Sequence, residues 1–208
     1  MKSAPTLEVL DRHVSIRSFT NKPIAEEVLD QIIRSSRRAP TSSNMQAYSI
    51  IVVKDPEVKQ ELALLAGGQK YVASCPVFLA FCADLHRLEV ACGMHDLTMT
   101  NNLETFLIST IDASLVGMTA MTAAESLGLG VVMIGAMRNH PSKVAELLGL
   151  PSSVYVTFGM CLGWPEKDNI PPQKSRLPEQ LVVHREKYDN SNPVDLIKQH
   201  DLELGEHY

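Results

Sequence analysis

Three short stretches of this chain gather groups able to hold an anion. His13-Val14-Ser15-Ile16-Arg17 interleaves cationic and hydroxyl side chains with apolar ones. On an extended backbone alternate residues share a side, so His13, Ser15 and Arg17 would point one way. Thr41-Ser42-Ser43-Asn44 collects hydroxyls and an amide in a polar loop behind a helix. Lys174-Ser175-Arg176 sets two cations at i and i+2 in a proline-bounded stretch, read as a strand with both on one face. Arginine grips phosphate with two parallel bonds, and lysine acts as a point charge. Singly, each stretch has a plain reading as a solvated edge, a turn or a charged tail. Together, in a chain otherwise poor in charge clusters, they point to a phosphorylated ligand.

The elements that must position these groups follow from periodicity. Val28, Leu29, Ile32 and Ile33 recur at helical spacing, so residues 25–38 form an amphipathic helix that stops at Ala39-Pro40. Residues 49–53 are a β-branched strand, and Asp55-Pro56 caps a helix that Gly67-Gly68 ends. Val77 to Cys82 is apolar on both faces, as a central strand requires, and 84–104 is ambiguous. A helix runs from about Asp112 to Leu127, with small residues at Ala113, Gly117, Ala120 and Ala124 that predict a tight helix–helix seam. Gly130–Met137 and Val154–Leu162 are two more strands, separated by a short helix after His140-Pro141. Irregularly spaced strands and helices suggest an α/β chain. Gly128-x-Gly130 is no dinucleotide fingerprint, because a helix precedes the glycines and a strand follows them.

Composition narrows the class. The chain has 208 residues and a net charge of −5, enough for one sizeable core and without the basic footprint of a nucleic-acid binder. Cys75, Cys82, Cys92 and Cys161 show no Cys-x-x-Cys spacing and read as reduced core thiols of a cytoplasmic protein, without a zinc site. His86, Glu89 and His95 lack coherent metal-ligand spacing. The N-terminal MKSAPTLEVLDRH has no apolar signal region. Residues 113–137 carry one charge, Glu125, but are interrupted by glycines, so they read as a buried helix and strand rather than a membrane span. One domain over 1–188 is expected, followed by a C-terminal extension over 189–208.

The ordered set HVSIRSFTNKPI, APTSSNMQ, GGQK, ESLGLGVVMIGAMRN, GMCLGWP and KSRLP resembles the flavin-dependent nitroreductase family, nearest to its oxygen-insensitive NADPH nitroreductase and flavin reductase branch. The resemblance implies an α+β fold, a mixed and mainly antiparallel sheet flanked by helices, in an intertwined homodimer. It implies FMN bound at the subunit interface and NAD(P)H as electron donor. Nitroaromatics, quinones or free flavin would be the small aromatic acceptors, in ping-pong turnover with no catalytic side chain. His13, Val14, Ser15 and Arg17 match the N-terminal flavin-binding run. Thr41, Ser42 and Ser43 match a loop reaching the flavin of the other subunit, and Gln69 matches an amide that contacts it. Met133, Ile134, Gly135 and Ala136 match the backbone along the ring, and Lys174 and Arg176 match late cations near the phosphate. Many relatives have Arg at the position of His13 and some carry a second Arg where this chain has Val14, which shifts phosphate binding toward Arg17, Lys174 and Arg176. The branch usually continues past residue 208 and grips the NADPH 2′-phosphate there. Only Lys198, His200 and His207 offer positive charge after Tyr188, so a truncated extension and a weak NADPH preference are expected. The other readings are a non-catalytic FMN sensor and a related flavoenzyme such as a reductive dehalogenase.

Overall fold

Among the described residues four strands pair, each antiparallel to its neighbours. The computed structural model describes residues 4–205, so His207 and the first three residues lie outside the described residues. β1 (Tyr48–Val53), β2 (Val77–Asp84), β3 (Gly130–Ile134) and β4 (Val154–Gly163) form one sheet in the order β1-β2-β4-β3. Tyr48 faces Ala83, Phe78 faces Cys161, and Ile134 faces Gly159. The α/β pattern read from element spacing is thereby replaced by the mixed α+β arrangement that the resemblance implied. β2 is buried along its whole length and lies inside the sheet, as its two apolar faces require.

The helices are α1 (Pro5–Asp11), α2 (Glu26–Ser36), α3 (Pro56–Leu65), α4 (Lys70–Ser74), α5 (His86–Gly93), α6 (Leu103–Ser126), α7 (Pro141–Leu147), α8 (Glu179–Val182) and α9 (Pro193–Gly205). Asp55 caps α3 by accepting from the amides of Glu57 and Val58. Gly67 and Gly68 close it, at φ +80° and +79°. Two apolar cores lie against the sheet. One joins Leu29 and Ile32 of α2 with Val116 and Ala120 of α6, and the other gathers Leu62, Val72, Met137 and Val144. Trp164 donates to the Pro23 carbonyl at 3.2 Å, with Lys22 stacked 4.2 Å from its ring.

Several elements differ from expectation. α6 begins at Leu103 rather than near Asp112, because Asn102 and Thr105 form a reciprocal capping box that a polar sequence conceals. The small residues of α6 seat it on the sheet as well as on α2. A Cβ at Gly117 would lie 2.5 Å from the Phe158 ring, so the helix approaches that ring closely only because glycine is there. By length and composition α6 could cross a membrane, yet its buried residues include Asp112 and Glu125. β3 stops at Ile134, where its ladder to β4 ends, and Gly135–Arg138 form a 3₁₀ turn. Cys75, Cys82 and Cys161 are buried, and burial pushes the Cys82 thiol up to about 12.

The chain divides into two compact units, residues 1–171 and 172–208, so the boundary expected after Tyr188 falls inside the second. Within that second unit, α8 precedes a His184–Tyr188 ring contact, and α9 follows it.

Gly117→Ala forces the Phe158 ring to shift and lowers stability by about 1–3 kcal/mol, the usual range for overpacking. Urea unfolding checks this. An unchanged midpoint would mean that α6 can move off the sheet without loss.

Candidate functional site

Beyond α1 the chain leaves regular structure and runs along the outer edge of β3. The Ile16 amide donates to the Val131 carbonyl at 2.8 Å, and Phe19 bridges to Pro165. Farther on, the amide of Thr20 donates to Trp164 and that of Glu166 donates to Ser18. Gly130 allows this approach, since a Cβ there would come within 2.7 Å of Ile16. Val14 and Ser15 are half-buried, and Arg17 is exposed.

Both ends of this strip are fixed. His13 Nδ1 and Glu125 Oε1 are hydrogen-bonded at 2.5 Å, and Arg12 donates to the Glu125 carbonyl at 3.0 Å. At the other end Ser18 Oγ donates to Glu166 at 2.6 Å. Bonds from Ser18 and Asn169 hold that carboxyl below its ordinary range. Between the ends, the Arg17 guanidinium lies 6.0 Å from the Tyr71 ring centroid, at the outer limit of a cation–π contact. The Tyr71 hydroxyl donates to Gln69 Oε1 at 2.8 Å. Arg17, Tyr71 and Gln69 therefore form a chain of contacts, with an exposed cation at one end.

The backbone 133–136 runs from the end of β3, the strand that the strip borders, into the following turn. Met133 and Gly135 are exposed, Ala136 is half-buried and Ile134 is buried. A Cβ on Gly135 would come 3.3 Å from the Arg138 guanidinium, which itself donates to the Thr157 carbonyl. Gly67 and Gly68, ahead of Gln69, have open space where a Cβ would stand.

Within the first unit, one group of expected residues stands elsewhere. Thr41, Ser42 and Ser43 lead into β1, whereas the strip lies along β3. Those two strands are opposite edges of the sheet, three strand spacings or about 14 Å apart. Lys174 and Arg176 belong to the second unit, where Arg176 donates to the Lys174 carbonyl at 3.1 Å. The strand expected there does not form, since Pro171, Pro172 and Pro178 supply no amide hydrogens to a ladder.

The Nitroreductase family model matches residues 10–164, about three-quarters of the chain. This chain belongs to the nitroreductase family. It is 43% identical over 207 residues to the oxygen-insensitive NADPH nitroreductase of Salmonella typhimurium, covering 99% of this chain and 83% of that one. It is 42% identical over 209 residues to the FMN reductase (NADPH) of Bacillus subtilis, covering 98% and 83%. Among solved structures, the NADPH:FMN oxidoreductase from Vibrio harveyi complexed with NAD+ superposes with a TM-score of 0.92 at 40% identity. That match covers 99% of this chain and 86% of that chain.

Within this nitroreductase fold, some contributors were missed from sequence. Tyr71 stands two residues beyond Gln69, but an isolated tyrosine carries no pattern. Glu125 did carry a signal: a lone charge in an apolar run needs a partner. Glu166 and Asp112 gave none.

Glu125→Ala removes the partner of His13 and lowers stability by about 1.5–3 kcal/mol, as for a hydrogen bond to a charged group. Urea unfolding at neutral pH measures this. Wild-type stability in the variant would mean that the strip is held by its backbone contacts alone.

Proposed function

We propose that this chain is an FMN-dependent NAD(P)H oxidoreductase that reduces nitroaromatics, quinones or free flavin by ping-pong hydride transfer. The carrying observation is the convergence at β3. Ile16 of the strip 13–17 bonds the edge of β3, which carries the backbone 133–136 at its end, and Arg17 lies over Tyr71, which bonds Gln69. The names of relatives at about 40% identity support the same chemistry.

The residues present fit a flat, anionic cofactor. Gly135 lets the Arg138 guanidinium close against this exposed backbone, which sets a cation beside it. Gly67 and Gly68 keep the approach to Gln69 open. Arg17 offers an exposed guanidinium fork, oriented by the Tyr71 face, for a phosphate or an electron-rich ring edge. His13 and Ser15 line the same strip, and Gln69 is oriented by the Tyr71 hydroxyl. The chemistry that FMN supplies when bound is hydride acceptance from NAD(P)H and hydride donation to the acceptor. The protein's part is placement and electrostatics, so no side-chain nucleophile or base is assigned.

The working unit is a homodimer in the cytoplasm. Leu103, Leu107, Ile111, Leu115 and Met118 form an exposed apolar stripe along α6, at spacings of four and three residues. Such a stripe is suited to burial against a second copy. The edge-to-edge separation of the Thr41–Ser43 loop from the strip gives a second reason. A loop too far away to serve its own subunit's flavin can serve the other's. Free, largely buried thiols suit a reducing compartment.

The purified protein should be yellow with near-stoichiometric FMN and should oxidise NAD(P)H with a quinone. A colourless protein that neither takes up FMN nor turns over would refute the reading. Arg17→Ala should weaken FMN retention about ten- to hundredfold, the equivalent of one bond to a charged group. Full flavin content in a folded variant would remove Arg17 from the site. Light scattering should give twice the 22.9 kDa chain mass. Leu115→Glu should shift this toward the monomer and release flavin with it. A monomeric, flavin-loaded wild type would overturn the dimer.

A further inference from the structure

The loop between α2 and β1 has an unusual backbone. Ser43, Asn44 and Gln46 have φ of +48°, +56° and +53°, a region that side-chain-bearing residues adopt at a cost. Such a loop keeps its shape only if its surroundings determine it, and two charged groups do so. Asp112 of α6 is fully buried. Its Oδ1 accepts from the Ser42 amide and its Oδ2 from the Ala47 amide, both at 3.0 Å. Both carboxylate oxygens are thus engaged, at the two ends of the loop's left-handed stretch.

Arg87 of α5 holds the same loop by its carbonyls. Its Nη2 donates to the Gln46 carbonyl at 3.0 Å and to that of Tyr48 at 2.5 Å. Its Nη1 donates to Asp84 at 2.7 Å and to Ser49 Oγ at 2.8 Å. Asp84 is itself buried, so the guanidinium is anchored to the sheet. Amides are drawn toward a buried anion and carbonyls toward an anchored cation, so each group reinforces the other's orientation of the strained turn.

We infer that Asp112, supported by Arg87, is a positioning residue that presents Thr41, Ser42 and Ser43 to the flavin of the partner subunit. This rests on the proposed FMN reading. Neither side chain touches the cofactor. Both act through the backbone shape of the loop, which leaves the Ser42 and Ser43 side chains exposed.

The test measures FMN affinity of the purified holoenzyme by equilibrium dialysis, alongside thermal unfolding. Asp112→Asn keeps the shape but sets an amide donor against one backbone N–H. It should weaken FMN binding about tenfold or more, of the order expected for one charge-assisted bond. Arg87→Met acts at an exposed side chain; it leaves buried Asp84 without its cation and so lowers thermal stability, but measured well below its unfolding temperature it should weaken FMN binding in the same direction. The double variant should lose little more than the worse single one, because the loop can be released only once. Wild-type FMN affinity in Arg87→Met, or fully additive losses, would overturn the inference. If Asp112→Asn does not fold, Arg87→Met alone decides. A wild type that binds no FMN would instead strike at the proposed function.

Discussion

The close seating of α6 on the sheet is the constraint from which the site follows. Gly117 lets the helix approach the Phe158 ring, and the buried stripe around it fixes the helix in rotation and height. That placement carries two buried carboxylates, Asp112 and Glu125, which stand about 20 Å apart along the helix axis. Asp112 ties the loop that enters β1 at one edge of the sheet. Glu125 ties the strip that covers β3 at the other. One helix thus sets the position of both donor segments. Each carboxylate is tolerated in the core because hydrogen-bond donors converge on it.

Much of the fold was legible in the sequence where a local rule operated without tertiary competition. Asp55-Pro56 and Gly67-Gly68 bounded α3, and the doubly apolar run 77–82 announced the interior strand. Legibility failed where a local signal had two meanings. The small-residue stripe of α6 described close approach correctly, but the nearest body across Gly117 is an aromatic ring of the sheet. The start of α6 was hidden because Asn102 and Thr105 are as common in loops as in caps. β3 was read too long because Met137 is as apolar as the strand. Its end is set by where β4 stops pairing, which is a tertiary fact.

The donor segments were legible for a different reason. Clusters of cations and hydroxyls are conspicuous in a chain with few charge runs. Spacing alone could not say which of them share a site. The sheet order separates the edge at β3, which the strip borders, from the edge at β1, into which Thr41–Ser43 lead. Asp112 stayed invisible for the opposite reason. A single carboxylate that accepts from backbone amides requires no partner side chain, and so it leaves no covarying pattern in one sequence.

The strip along β3 has a second consequence. β3 is an edge strand, and an uncovered edge is a template on which another chain can build a ladder. Residues 13–19 occupy that edge without forming a regular strand. They bond β3 through the Ile16 amide and bridge at Phe19 to Pro165, just past β4, while glycine at position 130 lets Ile16 lie flush. A segment rich in cations and lacking a continuous ladder is a poor surface for further strand addition. The strip proposed to receive an anion therefore also closes this edge to a neighbouring strand.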